Sequence, residues 1–448
     1  MRRAFKWLVM ALLGTLLLLM LTIAAWVACN GRWADASPQP LPPELASQPV
    51  TLAPQDNAFF GGQGLRAPEG ESANVWGQRS WRGEQGSDVN ASLVPVPSGD
   101  AWQCDATKVD CVQRWRASAA ALAAQMKVAS TFGERCKALA ARTAYQEPAP
   151  QRRKRAEGSK SYEALPLPQF APLSACVRWL QVEAVLAPDA QQAGVAWGQA
   201  DALIRVVAGG AQTLIGQAVA WSWVTRQQQM LAQWTAQQAA DYTLPAAWLA
   251  PLPANLLQPR VWIAMEWQFQ REAVVDLGEH GEQMFSTEPN ALQAWAGRHS
   301  LGYLPELTMQ AMTAHWLEDM RAYGQLQGAA LARQVRGRAQ AEEALSWWDY
   351  LRWRNTVGHI LVAVARPQYE QYALRQADLV LYQSALQISQ SLNRLPAAQR
   401  AAWWASQSVE PGVRERLTLE GDALLVRTWR GEVEEAYRAP VRFPLRPA

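Results

Sequence analysis

"AGGAQTLIGQAVAWSWVTRQQQMLAQW", residues 208–234, decides the fold class. Leu214, Ile215, Ala218, Trp221, Val224 and Leu231 recur at three- and four-residue steps, the period of an α-helix with a broad apolar face. The same period extends in both directions. Upstream, "VQRWRASAAALAAQMKVASTFGERCKALAAR" (112–142) is Ala-rich, lacks Pro and places Val112, Trp115, Ala119, Leu122 and Met126 on one amphipathic face. Weak breaks at Pro188 and Gly209-Gly210 separate several helices between Leu173 and Tyr242.

Downstream, helices are expected over Arg260–Leu277, Leu304–Tyr323 and Ala330–Trp353. "NTVGHILVAVARPQYEQYALRQADLVLYQSALQISQSL" (355–392) reads as a short helix capped by Asn355 or Thr356, a break before Pro367 and a long helix after it. Tyr369, Tyr372, Leu379, Tyr382 and Leu386 line one core face of that helix. The period then changes, because "RERLTLEGDALLVRTW" alternates around Gly421-Asp422 as a hairpin does. "APVRFPL" could add an edge strand. The expected fold is mainly α, an irregular stack of α-hairpins with an N-terminal transmembrane helix and a small C-terminal β-hairpin. No fixed-period repeat is present.

The N-terminus sets location. Arg2, Arg3 and Lys6 precede an uncharged run from Trp7 to Cys29, long enough to cross a hydrocarbon core of about 30 Å. The positive flank predicts a cytoplasmic N-terminus, a span over residues 7–28 in a bacterial inner membrane, and a periplasmic bulk. A cleaved signal usually has a shorter core with a small-x-small site close behind, and Ala34-Asp35-Ala36 lies far beyond this run. Lipidation at Cys29 calls for a Leu-like residue three places earlier, where Trp26 stands. An uncleaved anchor is the leading reading, and the other two stay open.

Composition narrows the rest. The 448 residues are 49% apolar, enough for a sizeable core, and the net charge of +3 suggests no nucleic-acid face. Beyond the span, Cys104, Cys111, Cys136 and Cys176 are an even number in an oxidising space, and chain order suggests 104 with 111 and 136 with 176. Four cysteines allow three pairings. Residues 31–103 are rich in Pro, Gly, Ser and Gln, with "SPQPLPPELASQP" as an extended spacer. Within it "DNAFFGGQGLRAPEGE" reads either as a strap docked through Phe59 and Phe60 or as a flexible loop. The division is thus 1–30 anchor, 31–103 spacer and strap, 104–408 helical domain and 409–448 C-terminal hairpin.

"DNAFF…GLRAP", "CDATKVDC", "GERCKALAAR", "GAQTLIGQAVA" and "NTVGHILVAVARPQYEQYALRQADL" together resemble a set of uncharacterised proteobacterial envelope proteins. In these an Asn-aromatic-aromatic segment leads to Gly and Ala-Pro, and a Cys pair follows. Helices with a Thr-Leu-Ile-small core and an Asn-Pro-(Val/Ile)-Gly motif then precede a Pro-led helix. The likeness covers roughly residues 56 to 392, with Thr356 standing where Pro is usual. It implies an envelope location and a helical architecture, and it carries no implication about activity.

Signatures of chemistry are missing: no GxxxxGK, HExxH, GxSxG or Ser-x-x-Lys occurs. Of four histidines, His359 lies in an apolar helix and reads as a core residue. His315 stands with Glu318 and Asp319, and His315 and Glu318 share a helix face that could bind a metal, although a surface ion pair is the simpler reading. Glu266 with Arg271 or Glu272 could form a buried charge pair. "SWWDYLRWR" and "AAWWASQ" give a possible interaction surface of Trp347, Trp348, Trp353, Arg354, Trp403 and Trp404, since Trp and Arg are enriched in interface hot spots. The expectation is an anchored scaffold or interaction module with an envelope protein partner and no cofactor or metal. Alternatives are an envelope enzyme using a carboxylate, or a glycan- or lipid-binding protein.

Overall fold

A computed structural model of the chain describes residues 2–47, 49–83, 93–148, 167–239, 241–279, 302–341, 354–365 and 369–447. Among them the chain is mainly helical, with a three-stranded antiparallel sheet at the C-terminal end and one long apolar helix at the N-terminal end. It forms two compact units, one of residues 47–265, 322–339 and 370–448, the other of residues 1–46, 266–321 and 340–369.

The larger unit is built on three consecutive helices, Phe170–Leu186, Ala190–Gly210 and Leu214–Thr235. Their short connections make them antiparallel neighbours. Asp189 caps the second, accepting from Gln192 N–H at 2.8 Å, and Thr213 caps the third, accepting from Gly216 N–H at 3.0 Å. The face expected on Leu214–Thr235 is buried at Leu214, Trp221, Val224 and Leu231, whereas Ile215 is 47% exposed. Trp223, Met230 and Trp234 take part in the core instead, so the helix is buried nearly all round beyond its first turn. Helix Glu370–Asn393 packs along it and buries Leu379, Tyr382 and Leu386.

The Ala-rich stretch is three helices rather than one: Cys111–Ala117, Ala119–Val128 and Ser130–Ala140. The chain leaves helical geometry at Ser118 (φ −101°, ψ 13°) and Ala129 (φ −100°, ψ 29°). Trp115, Leu122, Phe132 and Cys136, spread over the three helices, are all fully buried. Two disulfides fasten this region. Cys104–Cys111, Cα atoms 5.8 Å apart, closes a ring read by Gln233, whose Oε1 accepts from Cys111 N–H while its Nε2 donates to the carbonyls of Ala106 and Val109. Cys136–Cys176, Cα atoms 5.4 Å apart, ties helix Ser130–Ala140 to helix Phe170–Leu186.

The segment read as strap or loop is docked. Asn57 is fully buried and pairs like a strand residue with Gln146: its Oδ1 accepts from Gln146 N–H at 2.9 Å and its Nδ2 donates to Gln146 O at 2.7 Å. That Oδ1 also accepts from Phe59 N–H, which caps helix Ala58–Gln63. Phe59 then inserts edge-on against Phe60, Trp81 and Tyr145. Helix Ala73–Arg82 crosses the strap helix so closely that a Cβ on Gly64 would fall 1.7 Å from Ala73 O, and one on Gly77 1.8 Å from Phe60 O.

At the C-terminal end, strands Leu417–Glu420, Ala423–Val426 and Val441–Pro444 pair antiparallel in that order. Gly421 at φ +57° turns the first hairpin. The middle strand buries Ala423, Leu424 and Val426, and the sheet packs on helix Glu370–Asn393 through contacts such as Tyr382 with Phe443.

The smaller unit contains helix Arg2–Asn30, the segment after it, and helix Thr356–Ala365. Phe5–Asn30 is long and apolar enough to cross a membrane, and its most apolar window is wholly unburied. The Pro-rich segment that follows is not the free spacer expected. Leu45 is buried, Gln268 Nε2 donates to Leu45 O at 3.4 Å, and Gln310 Nε2 donates to Ser37 O at 3.2 Å. Proline-rich backbone offers carbonyls but few N–H groups, so donor side chains are what hold it.

Candidate functional site

The most elaborate polar arrangement in the smaller unit lies where the apolar helix ends. A helix leaves its last carbonyls without partners, and beside a low-dielectric phase these must be satisfied. Here the carbonyls of Trp26, Ala28 and Asn30 accept from Asn30 Nδ2, Trp33 Nε1 and Gly302 N–H, each at 3.0 to 3.1 Å. Asn30 is fully buried, and its Oδ1 accepts from Asn355 N–H at 2.8 Å.

Asn355 continues the network. Its Oδ1 accepts from Leu304 N–H at 2.8 Å and its Nδ2 donates to Thr308 Oγ1 at 3.1 Å, while Thr308 donates to Leu304 O. Val357 N–H closes the ring by donating to Gly302 O at 2.9 Å. Two residues adopt left-handed backbone, Gly302 at φ +80° and Asn355 at φ +56°. Asn355 precedes helix Thr356–Ala365 as expected, and its carbonyl accepts from His359 N–H. Its side chain reaches across to the 302–308 turn. Gly358 is required by proximity, since a Cβ there would lie 2.0 Å from Thr308 Oγ1.

Five residues past Asn30 the chain is fastened again. Asp35 accepts from Glu306 N–H at 2.9 Å and Leu307 N–H at 3.0 Å, capping helix Pro305–Tyr323 from a distant part of the sequence. Burial, with Asp35 nearby, raises the Glu306 carboxyl above its ordinary range. Asn355 was expected only as a helix cap, and the partners Asn30, Gly302 and Thr308 carry no local signal.

The residues weighed for chemistry fall elsewhere. Of the constellation of His315, Glu318 and Asp319, the structure pairs His315 with Asp319 at 3.4 Å, one turn on, and leaves Glu318 exposed. Glu266 accepts from Tyr369 O–H at 3.4 Å, and Gln270 links Tyr369 to Trp316 Nε1. Arg271 turns to Glu272 at 3.8 Å. Among the described residues no group of three or more His, Cys, Asp or Glu is placed to hold a metal.

Of the possible interaction surface, Trp347, Trp348 and Trp353 lie outside the described residues. Arg354 is exposed and donates to Ala34 O, beside the node. Trp403 is half-buried, and Trp404 is buried beneath Arg414, whose guanidinium sits 3.6 Å from the ring centre. Trp404 is therefore a packing residue, not an outward one.

Two buried carboxylates were not singled out by sequence. Glu147 accepts from Gln212 N–H, Thr213 N–H and Thr213 Oγ1 at 2.6 to 2.9 Å, and burial raises its pKa against those bonds. It fastens residues 144–147 to the start of helix Leu214–Thr235. Asp378 accepts from Trp429 N–H at 2.7 Å, and burial lifts its carboxyl to about 7, opposed by Arg430 and Arg416. It fixes the C-terminal segment to helix Glu370–Asn393. Both tie backbone together rather than facing a cleft. No family model matches the chain, and no curated protein or solved structure matches it either.

Proposed function

We propose that the protein is a non-catalytic helical scaffold of the bacterial envelope. Residues 7–28 hold it in the inner membrane with the N-terminus cytoplasmic, and its periplasmic bulk binds an envelope protein partner. The observation that carries this reading is the burial of Asn30 in the polar node, because it makes the end of the apolar helix part of a folded unit. A signal cut at Ala36 would remove Asn30 and Asp35 together and leave Asn355 N–H and the start of helix Pro305–Tyr323 unsatisfied. The flank of Arg2, Arg3 and Lys6 supports the orientation, and the two disulfides support an oxidising compartment. Likeness to the proteobacterial envelope proteins supports the setting.

The test is in vivo crosslinking of the tagged full-length protein, with mass spectrometry of its adducts and of its N-terminal peptide. An intact peptide before Asn30 and reproducible protein adducts are expected. A chain that begins beyond Asn30, or one that runs only as an uncrosslinked monomer, would overturn the reading.

A further inference from the structure

Helix Thr356–Ala365 departs from the pattern of the other helices. Its sequence TVGHILVAVA holds no Asp, Glu, Lys or Arg, yet no residue from His359 to Val364 is buried. Leu361 is 38% exposed and Val364 is 61% exposed. A helix with no charged side chain, polar only at Thr356 and His359, belongs in a protein core or in lipid, and this one is at most half-buried from His359 to Val364.

Its position says which. The start of the helix is bonded to the end of the membrane-length helix through Asn355 N–H to Asn30 Oδ1, and through Val357 N–H to Gly302, which itself bonds Asn30 O. Ten residues of helix extend about 15 Å, roughly half the thickness of a hydrocarbon core. All of its exposed apolar side chains therefore lie within that reach of the point where the apolar helix ends. The polar rim matches: exposed Arg354 stands at its start, and Trp33, 60% exposed, is bonded to Ala28 O at the same level. Arg and Trp are the residues favoured beside phosphate headgroups.

We propose that helix Thr356–Ala365 is a second membrane contact, inserted in the leaflet beside the end of residues 7–28, and that the lipid bilayer itself covers Leu361 and Val364. It rests on the anchored reading, which places the bilayer next to residue 30.

The experiment uses full-length protein in phosphatidylethanolamine–phosphatidylglycerol nanodiscs, with Cys29→Ser to leave one reporter thiol and both disulfides unreduced. An environment-sensitive fluorophore is attached at Leu17→Cys or, separately, at Val364→Cys, and quenching by brominated acyl chains is read. Both labels are expected to be blue-shifted and quenched several-fold. Quenching at 17 with a water-like, unquenched label at 364 overturns the second contact and leaves the anchor standing. Quenching at 364 alone supports the contact and removes the anchor, and quenching at neither removes both. A blue-shifted label at 364 that bromolipid does not quench assigns the surface to protein, a second copy or a partner, and overturns the proposal.

Discussion

Asn30 and Asn355, 325 positions apart, are joined by a 2.8 Å hydrogen bond from the backbone N–H of Asn355 to the side-chain oxygen of Asn30. Both residues are almost fully buried, so neither group has water as an alternative partner. The bond makes the last residue of the apolar helix and the first residue before helix Thr356–Ala365 a single structural point.

Replacing Asn30 with Ala strands the Asn355 N–H in a buried site, which costs about 1–3 kcal/mol. Thermal unfolding of the full-length protein in detergent should show a drop of several degrees, while Cys29→Ala, at an exposed position, should leave the midpoint in place. Equal midpoints for the two variants would show that the latch contributes nothing.

At Asn355 two losses separate. Gly and Ala both remove the carboxamide, but only Ala must hold a Cβ at φ +56°, which costs about 1–2 kcal/mol more. Asn355→Gly should therefore unfold at a higher temperature than Asn355→Ala. The reverse order would mean that the left-handed backbone at this position is wrong.

Neighbouring glycines give opposite signs. A Cβ on Gly209 meets open space, so Gly209→Ala should stabilise by up to about 1 kcal/mol. A Cβ on Gly210 would lie 1.7 Å from Tyr145 O, and Gly210→Ala should destabilise by about 1–3 kcal/mol. Chemical denaturation midpoints of the two variants decide the matter.

Stability should carry the mark of Asp378. Its folded pKa, lifted to about 7 by burial, lies above the ordinary carboxylate value near 4. The folded state therefore binds the extra proton in that window, and stability falls as pH rises from about 4 to about 7. Glu147, also raised by burial, adds in the same direction. Asp378→Asn keeps an oxygen for Trp429 N–H and should flatten the pH dependence, gaining most above pH 7. An unchanged slope in urea titrations at pH 5 and pH 8 would contradict this assignment.

Non-reducing peptide mapping should recover Cys104 with Cys111 and Cys136 with Cys176. By loop entropy the short ring contributes about 2.5 kcal/mol and the long one about 4 kcal/mol. Cys136→Ser/Cys176→Ser should accordingly be the more damaging pair of replacements.

Much of the architecture was legible because helix and hairpin periods are local properties. The breaks at Pro188 and Gly209-Gly210 end helices where expected, and Gly421-Asp422 turns the hairpin. What escaped was whatever depended on a distant partner. The kinks at Ser118 and Ala129 leave no mark in an unbroken Ala-rich pattern. The Pro-rich composition after Asn30 reads as a spacer, yet Asp35 and Leu45 dock it. Trp404 belonged to the possible interaction surface, and Arg414 covers it.

The sequence by itself determined the class of fold, the apolar N-terminal helix, the even cysteine set and the C-terminal hairpin, because hydrophobic period, length and turn chemistry act over a few residues. Only the tertiary structure decided that Asn30, Gly302, Thr308 and Asn355 form one node, that Asn57 pairs with Gln146, and that Glu147 and Asp378 are buried. A buried polar group takes whichever partner the packed chain delivers to it, and that partner is fixed by the whole fold rather than by its neighbours in sequence.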